Sequence, residues 1–263
     1  MRPELSASML YLMDMDGTIY NEDSLFDGVT DFFSLIRERG GRYMFLTNNS
    51  SRSTSAYVEK LARMGIDAEG DDFLTSTDAT IWFIKKEYPL LTVYPVGTKS
   101  FVEQLTSAGI RVTKDPDEAE LLLMSYDTEL TYQKLYDAAK ILSRECVYLA
   151  TNPDRGCPAP FGLVPDCGGF CEALFMATGR RPRFIGKPQP EMIYLAMDKT
   201  GYGKDSTVMV GDRLYTDIAS GNAAGIRTVL VLSGETDMAQ AEKDETKAEF
   251  IYDDVKALYE KLR

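Results

Sequence analysis

Met9-Leu10-Tyr11-Leu12-Met13 is a run of five apolar side chains, and it leads directly into Asp14-Met15-Asp16-Gly17-Thr18. No other feature narrows the possible folds as far. So short a continuous apolar run reads as a strand buried on both faces. An ionised carboxylate, by contrast, is costly to bury without a partner. The strand must therefore end where its acids meet a metal, a donor or water, and open α/β sheets offer that place at the carboxyl ends of their strands. Asp14 and Asp16 are two apart, so an extended backbone sends both side chains the same way. Gly17 permits a sharp turn, and Thr18 can cap the next element. Taken alone, Asp-x-Asp-Gly-Thr fits equally well a plain strand that leaves the core through an Asp-Gly turn.

The rest of the chain repeats the alternation that such a strand needs. A polar turn, Tyr20-Asn21-Glu22-Asp23, precedes an amphipathic helix over residues 31–39 that Gly40-Gly41 ends. Tyr43-Met44-Phe45-Leu46 is a second buried strand, and it runs into Thr47-Asn48-Asn49-Ser50-Ser51 and a helix over 55–64. Thr47 and Asn48 at a strand end before a helix make a natural anion site, although an ordinary N-cap takes the same residues. Further strands are expected at 73–76, 92–97, 121–126, 147–150, 184–185, 207–210 and 228–232, with helices between most of them. Residues 155–169 carry Pro, Gly and Cys without a clear period and read as a loop. The acidic stretch 235–249 reads as solvated surface, and 254–262 as a closing helix. Strands alternating with helices over short connections predict an α/β fold: a Rossmann-like, doubly wound parallel sheet with crossover helices.

Composition removes much of the available chemistry. The chain has 263 residues and no histidine. Ser-His-Asp and Cys-His catalysis, phosphohistidine chemistry and histidine-based zinc sites are thereby excluded. Acid–base work falls to Asp, Glu, Lys, Tyr or Cys, and a metal must sit on oxygens, which favours a magnesium-like hard cation. The net charge of −12 opposes nucleic acid and acidic membranes as partners. No apolar run approaches the roughly 20 residues that span a bilayer, and Met1-Arg2-Pro3-Glu4 lacks the plan of a signal peptide. The expected location is the cytoplasm. Cys146, Cys157, Cys167 and Cys171 show no zinc spacing and read as free thiols.

Four strand or loop ends then present matching chemistry: Asp14 with Asp16, Thr47 with Asn48, Lys187, and Asp212 with Asp217 a little over a helical turn beyond it. Gathered at one sheet edge, Asp14, Asp212 and a backbone carbonyl near Asp16 can hold one hard cation. Lys187, the Thr47 hydroxyl and backbone N–H groups supply positive potential for an anion beside it. Without histidine, a carboxylate is the nucleophile. Asp14 would form an aspartyl-phosphate while Asp16 gives a proton to the leaving oxygen and then activates water.

These residues resemble the haloacid dehalogenase superfamily of phosphatases. Asp14 to Thr18 matches the first motif, Thr47-Asn48-Asn49 the second, Gly186-Lys187-Pro188 the third, and Gly211-Asp212 through Thr216-Asp217-Ile218 the fourth. Arg213 stands where many relatives have Asn. Residues 19–46 are used up by one helix and one strand, whereas 49–186 leave room for an inserted α/β cap. The layout is similar to subfamily IIA, with a C2-type cap, as in NagD-like and 4-nitrophenylphosphatase-like proteins. The resemblance implies a core of residues 1–79 and 180–263 with a cap of residues 80–179. It implies catalytic Asp14 and Asp16, phosphate binding by Thr47, Asn48 and Lys187, and Mg2+ held by Asp14, Asp16 and Asp212. The expected substrate is a small phosphorylated metabolite, such as a sugar phosphate or nucleoside monophosphate. Asn152, Asp154 and Arg155 of the cap are candidates to face the leaving group, beside their reading as a capped turn. A homodimer through the cap is a further expectation; the alternative functions are a non-catalytic phosphate-ligand binder on the same scaffold, which an intact Asp16 argues against, and a phosphosugar mutase, which the cap placement disfavours.

Overall fold

The computed structural model describes residues 4–48, 54–159 and 161–263. Residues 1–3, 49–53 and 160, among them Asn49 of the second motif, lie outside the described residues. In chain order, β1 is Leu10–Met13, followed by a two-residue hairpin of β2 (Tyr20–Asn21) and β3 (Ser24–Leu25). Next come α1 (Val29–Glu38), β4 (Arg42–Thr47), α2 (Thr54–Arg63), β5 (Phe73–Thr75) and α3 (Ser76–Glu87). The middle of the chain holds β6 (Val93–Val96), α4 (Lys99–Ser107), β7 (Leu121–Met124), α5 (Tyr132–Leu142) and β8 (Val147–Ala150). After these lie β9 (Gly156–Ala159), β10 (Gly162–Pro165), α6 (Cys167–Thr178), β11 (Arg183–Phe184) and α7 (Glu191–Thr200). The last part is β12 (Thr207–Gly211), α8 (Ala219–Ala224), β13 (Arg227–Val231), α9 (Met238–Lys243), β14 (Phe250–Tyr252) and α10 (Val255–Leu262).

The chain divides into two compact units. One comprises residues 1–47, 52–74 and 187–263, and the other comprises 48–51 and 75–186. The first is built on a six-stranded sheet in the order β14-β13-β12-β1-β4-β5. β1 lies at its centre, parallel to β12 on one side and β4 on the other. Every residue of β1 is buried, as expected for a strand covered on both faces. Tyr11 and Met13 share one cluster with Tyr43, Phe45, Val208 and Val210 from the flanking strands. α1 closes this side because Val29, Phe32, Phe33 and Ile36 recur at helical spacing. Its Phe32 meets Tyr11 edge-on at 5.2 Å, and Phe33 meets Phe45 at 5.6 Å. Phe45 continues the chain of rings to Phe73 at 5.0 Å. Each such pair adds about 0.5–1.5 kcal/mol beyond the apolar area it hides. Gly28 starts α1 with a φ of 76°, and a side chain there would meet Lys256 of α10 at 2.8 Å. Only glycine suits both demands.

The second unit has its own four-stranded parallel sheet in the order β11-β8-β7-β6. Leu121–Met124 of β7 are all buried, and α5 and α6 contribute Ala138, Ile141, Leu142, Cys171 and Leu174 to its core. The contact division falls at 74/75 and 186/187, where the motif spacing predicts 79/80 and 179/180. No described helix is long and apolar enough to cross a membrane.

Some local expectations change. Residues 155–169 are not a plain loop: β9 and β10 pair antiparallel, Gly156 opposite Pro165 and Cys157 opposite Val164. Pro and Gly hide the alternation in this hairpin, and α6 then begins at Cys167 because the Asp166 side chain accepts from the Cys167 N–H. The segment 235–249 contains α9, started by a reciprocal Asp237–Gln240 capping box that the acidic composition obscured. Edge strand β14, parallel to β13, comes after it. The turn after β1 is a tight hairpin in which Glu22 takes a φ of 53°.

Candidate active site

The register of the central strands assembles the site. Met13 is level with Phe45 of β4 and with Val210 of β12. The Asp14 N–H carries the ladder one residue further, donating to the Val210 carbonyl at 2.9 Å. Asp14, Thr47 and Asp212 therefore leave three adjacent parallel strands at the same carboxyl edge, the place where such sheets bind ligands.

Lys187 lies among them. Its Nζ donates to Asp14 Oδ1 at 2.5 Å, to Asp217 Oδ1 at 2.7 Å and to the Leu46 carbonyl at 3.1 Å. The lysine is 3% exposed and Asp217 is wholly buried. Burial alone would lower the Lys187 ammonium, but the charges of Asp14 and then Asp217 outweigh it and raise its pKa. It remains a cation. Burial pushes the Asp217 carboxyl up, while Lys187 draws it back. Asp217 reaches the site through a single π turn, Leu214–Ile218, a wide turn that is frequent at functional sites. Its Oδ2 accepts the Arg213 N–H at 3.2 Å. Gly211 makes room, since a Cβ there would sit 2.3 Å from the Asp217 Cβ.

Asp212 is packed between two glycines: a Cβ on Gly17 would approach its Oδ2 to 2.5 Å, and one on Gly234 to 2.1 Å. The same oxygen accepts from the Glu235 N–H at 2.8 Å, and Thr18 Oγ1 lies 3.4 Å from Oδ1. Burial, followed by the charge of Asp14, pushes the Asp212 carboxyl up to about 6. Asp14, Asp212 and Asp217 each offer an oxygen within 4.8 Å of the others, a group able to hold a metal ion. This donor set fits a hard divalent cation. The crowding that raises Asp212 is also what a cation would relieve.

Asp16 stands apart from that carboxylate group. Its side chain is 67% exposed, and it lines a cleft of about 270 Å³ with Gly17, Asn21, Asp212, Arg213, Ser233, Gly234 and Glu235. The surrounding protein pushes its carboxyl up, with Lys60 opposing. Its Oδ2 accepts from the Tyr20 hydroxyl at 3.2 Å, and Lys60 Nζ is 3.9 Å from Oδ1. Arg213 pairs with Glu235 at 2.8 Å. Burial works against the Arg213 guanidinium, but Asp212 and Asp14 raise its pKa.

Asn48 falls in the second unit. Its Nδ2 donates to Asp154 Oδ2 at 3.0 Å, and its carbonyl accepts from Ser76 Oγ at 2.9 Å. Asn152, which is buried, donates to Asp154 at 2.9 Å and to Asp166 at 3.2 Å, and so ties a polar network. The Arg155 side chain is 82% exposed and lies 4.0 Å from Glu172. Asp217 belonged to a motif, but only the structure gives its side chain a place. Tyr20, Lys60 and Glu235 carried no sequence signal, because each lies in a stretch that reads as ordinary turn, helix or surface.

The arrangement combines a carboxylate held by an ammonium, a second carboxylate in a cleft, and a group of three carboxylates able to hold a cation. The chain as a whole also resembles known proteins. The family described as haloacid dehalogenase-like hydrolase matches residues 11–111, and the HAD-hydrolase-like family matches 184–258. An acid sugar phosphatase of Staphylococcus epidermidis is 32% identical over 93% of this chain and 94% of its own. The 4-nitrophenylphosphatase of Thermotoga maritima superposes with a TM-score of 0.89 at 36% identity, covering 98% of both chains. NagD of Escherichia coli K-12 superposes with a TM-score of 0.87 at 28% identity, over 96% of this chain and 98% of its own. The chain belongs to the haloacid dehalogenase superfamily of hydrolases, within its NagD-like phosphatase branch.

Proposed function

We propose that this protein hydrolyses a small-molecule phosphate monoester, a sugar phosphate or similar metabolite, through an aspartyl-phosphate on Asp14. The observation that carries the reading is the Lys187 ammonium bridging Asp14 and Asp217, with Asp212 in the same carboxylate group. An oxyanion entering beside Asp14 meets fixed positive charge there, and such preorganised charge is worth more in a recessed site than in water. Asp14 Oδ attacks phosphorus, and the bond from phosphorus to the ester oxygen breaks. Asp16 gives its proton to the departing oxygen. Asp16 then takes a proton from the water that attacks the acyl-phosphate, which releases phosphate and restores Asp14. Lys187 holds Asp14 for the attack and, with Thr47 at the adjoining strand end, orients the phosphoryl oxygens. Asp14, Asp212 and the Asp16 backbone carbonyl would hold Mg2+, which when bound supplies charge neutralisation between nucleophile and phosphate.

The inserted second unit is assigned as the cap that chooses among substrates, and Asn48 as a further phosphate-binding residue. Four cysteines outside any disulfide support the cytoplasm as its location. The test is phosphate release from a panel of monoesters with and without magnesium, read as ratios of kcat/KM. Turnover is expected with magnesium and should disappear in Asp14→Asn with the fold intact. Full activity in that variant would exclude Asp14 as nucleophile.

A further inference from the structure

We propose that Tyr20 and Lys60 form a two-point holder for the Asp16 carboxyl, one that lets the enzyme cleave monoesters whose alcohol cannot depart without a proton. The inference rests on the phosphatase reading above and names two positioning residues within it. Asp16 follows β1 on a turn, and most of its side chain faces the cleft. Among the described residues, its carboxylate has a partner on each oxygen: the Tyr20 hydroxyl at 3.2 Å from Oδ2 and the Lys60 ammonium at 3.9 Å from Oδ1. Without them, an exposed aspartate is free to sample several rotamers, and a proton donor that wanders by an ångström loses much of its rate advantage.

The holder is itself rigid. Tyr20 is wholly buried. Its carbonyl accepts from the Gly17 N–H at 2.8 Å, and its own N–H reaches the Met15 carbonyl at 3.4 Å. The backbone that presents Asp16 therefore also fixes its partner. Lys60 sits on α2, where a lysine normally extends into water. Here its side chain is only 12% exposed, and its Nζ lies 3.8 Å from the centre of the Tyr20 ring. A cation withdrawn from solvent needs compensating partners. Tyr20 and Asp16 are those partners.

The two residues are not redundant. An ammonium only donates, so Lys60 alone would favour the ionised carboxylate. A phenolic hydroxyl both donates and accepts. Tyr20 can donate to ionised Asp16 while it waits to take a proton from water, and accept from protonated Asp16 before the proton passes to the leaving oxygen. It stays a partner through both halves of the cycle.

A merely structural contact would damage all substrates alike, and the leaving group separates the two cases. An alkoxide needs Asp16's proton, whereas 4-nitrophenolate departs without one. The experiment measures kcat/KM for glycerol phosphate and for 4-nitrophenyl phosphate in wild type, Tyr20→Phe, Lys60→Met and Lys60→Arg. General acid catalysis contributes roughly 10²–10⁴-fold. The alkyl-to-aryl ratio should accordingly fall by about tenfold or more in Tyr20→Phe, less in Lys60→Met, and recover in part in Lys60→Arg. A ratio unchanged in Tyr20→Phe overturns the holder. Crystal structures of the wild type, Tyr20→Phe and Lys60→Met supply a readout that needs no turnover. Asp16 should occupy one rotamer in the wild type and leave it or spread over several in Tyr20→Phe. A single unaltered rotamer in both variants also overturns the inference. If the wild type releases phosphate from no monoester, the phosphatase reading fails, and the crystal structures still decide whether the holder exists.

Discussion

Replacing Lys187 with methionine isolates the electrostatics of the site from its chemistry. The side chain keeps its approximate volume but loses the ammonium that serves Asp14, Asp217 and the Leu46 carbonyl. Asp217, wholly buried, is left as a charge without its counter-ion. Removing one partner of a buried ion pair costs about 3–5 kcal/mol. For a domain of this size each kcal/mol moves Tm by roughly 2–4 °C, so Lys187→Met should melt on the order of 10 °C below wild type near neutral pH. The pH dependence carries its own sign. Burial holds the Asp217 carboxyl above its ordinary value, with Lys187 drawing it back. Folding thus takes up a proton at Asp217. That contribution is complete below the unfolded carboxylate pKa and is lost as pH rises through the folded value. Without the ammonium the folded value climbs further, so the deficit should be large at about pH 8 and small at about pH 5. Calorimetry at both pH values, without added divalent ions, reads the effect. Lys187→Met/Asp217→Asn should recover about half of the loss, because a neutral amide replaces the stranded charge. A Tm within about 2 °C of wild type at the higher pH, or equal deficits at both, would refute the argument.

The same geometry has other consequences. Burial and the Asp14 charge hold the Asp212 carboxyl at about 6, so its stabilising contribution in metal-free protein is complete below the ordinary carboxylate range and lost as pH rises through that value. The Tm gain on adding magnesium should consequently be larger at about pH 7.5 than at about pH 5, since the cation takes the ionised form; a flat gain would contradict the assignment of Asp212 as a ligand. Gly211→Ala would place a Cβ 2.3 Å from the Asp217 Cβ, and the repacking should cost about 1–3 kcal/mol. Urea titration checks it, and an unchanged midpoint would show that the π turn yields freely. Asp14→Asn should reduce phosphate release to background without lowering Tm, because it removes a charge from a crowded group; a large drop in Tm would mean that Asp14 is structural.

The order of the parts was legible in the residues alone. Five apolar residues before Asp14 demanded a strand buried on both faces that stops at its acids. Tyr43 to Leu46 before Thr47, and Thr207 to Val210 before Asp212, repeat that demand. Alternating with helices over short connections, such strands point to a parallel sheet. The absence of histidine narrowed the chemistry to carboxylates, a lysine and a hard cation. These readings rest on local period and on residue type, which a chain carries wherever its segments finally lie. The hairpin at 156–165 and the helix at 238–243 were lost to the same local logic, since prolines, glycines and acids mask the period. It took the folded sheet to set β1 between β4 and β12, in the register that brings Asp14, Thr47 and Asp212 to one carboxyl edge. Folding also carries Asp217 back onto Lys187 through a π turn, and closes a tyrosine from a turn and a lysine from a helix on Asp16. Most of those pairings join residues tens to nearly two hundred positions apart, and no local pattern encodes them. They exist because buried charges must find opposite charges, and the three-dimensional path of the chain settles which ones lie within reach.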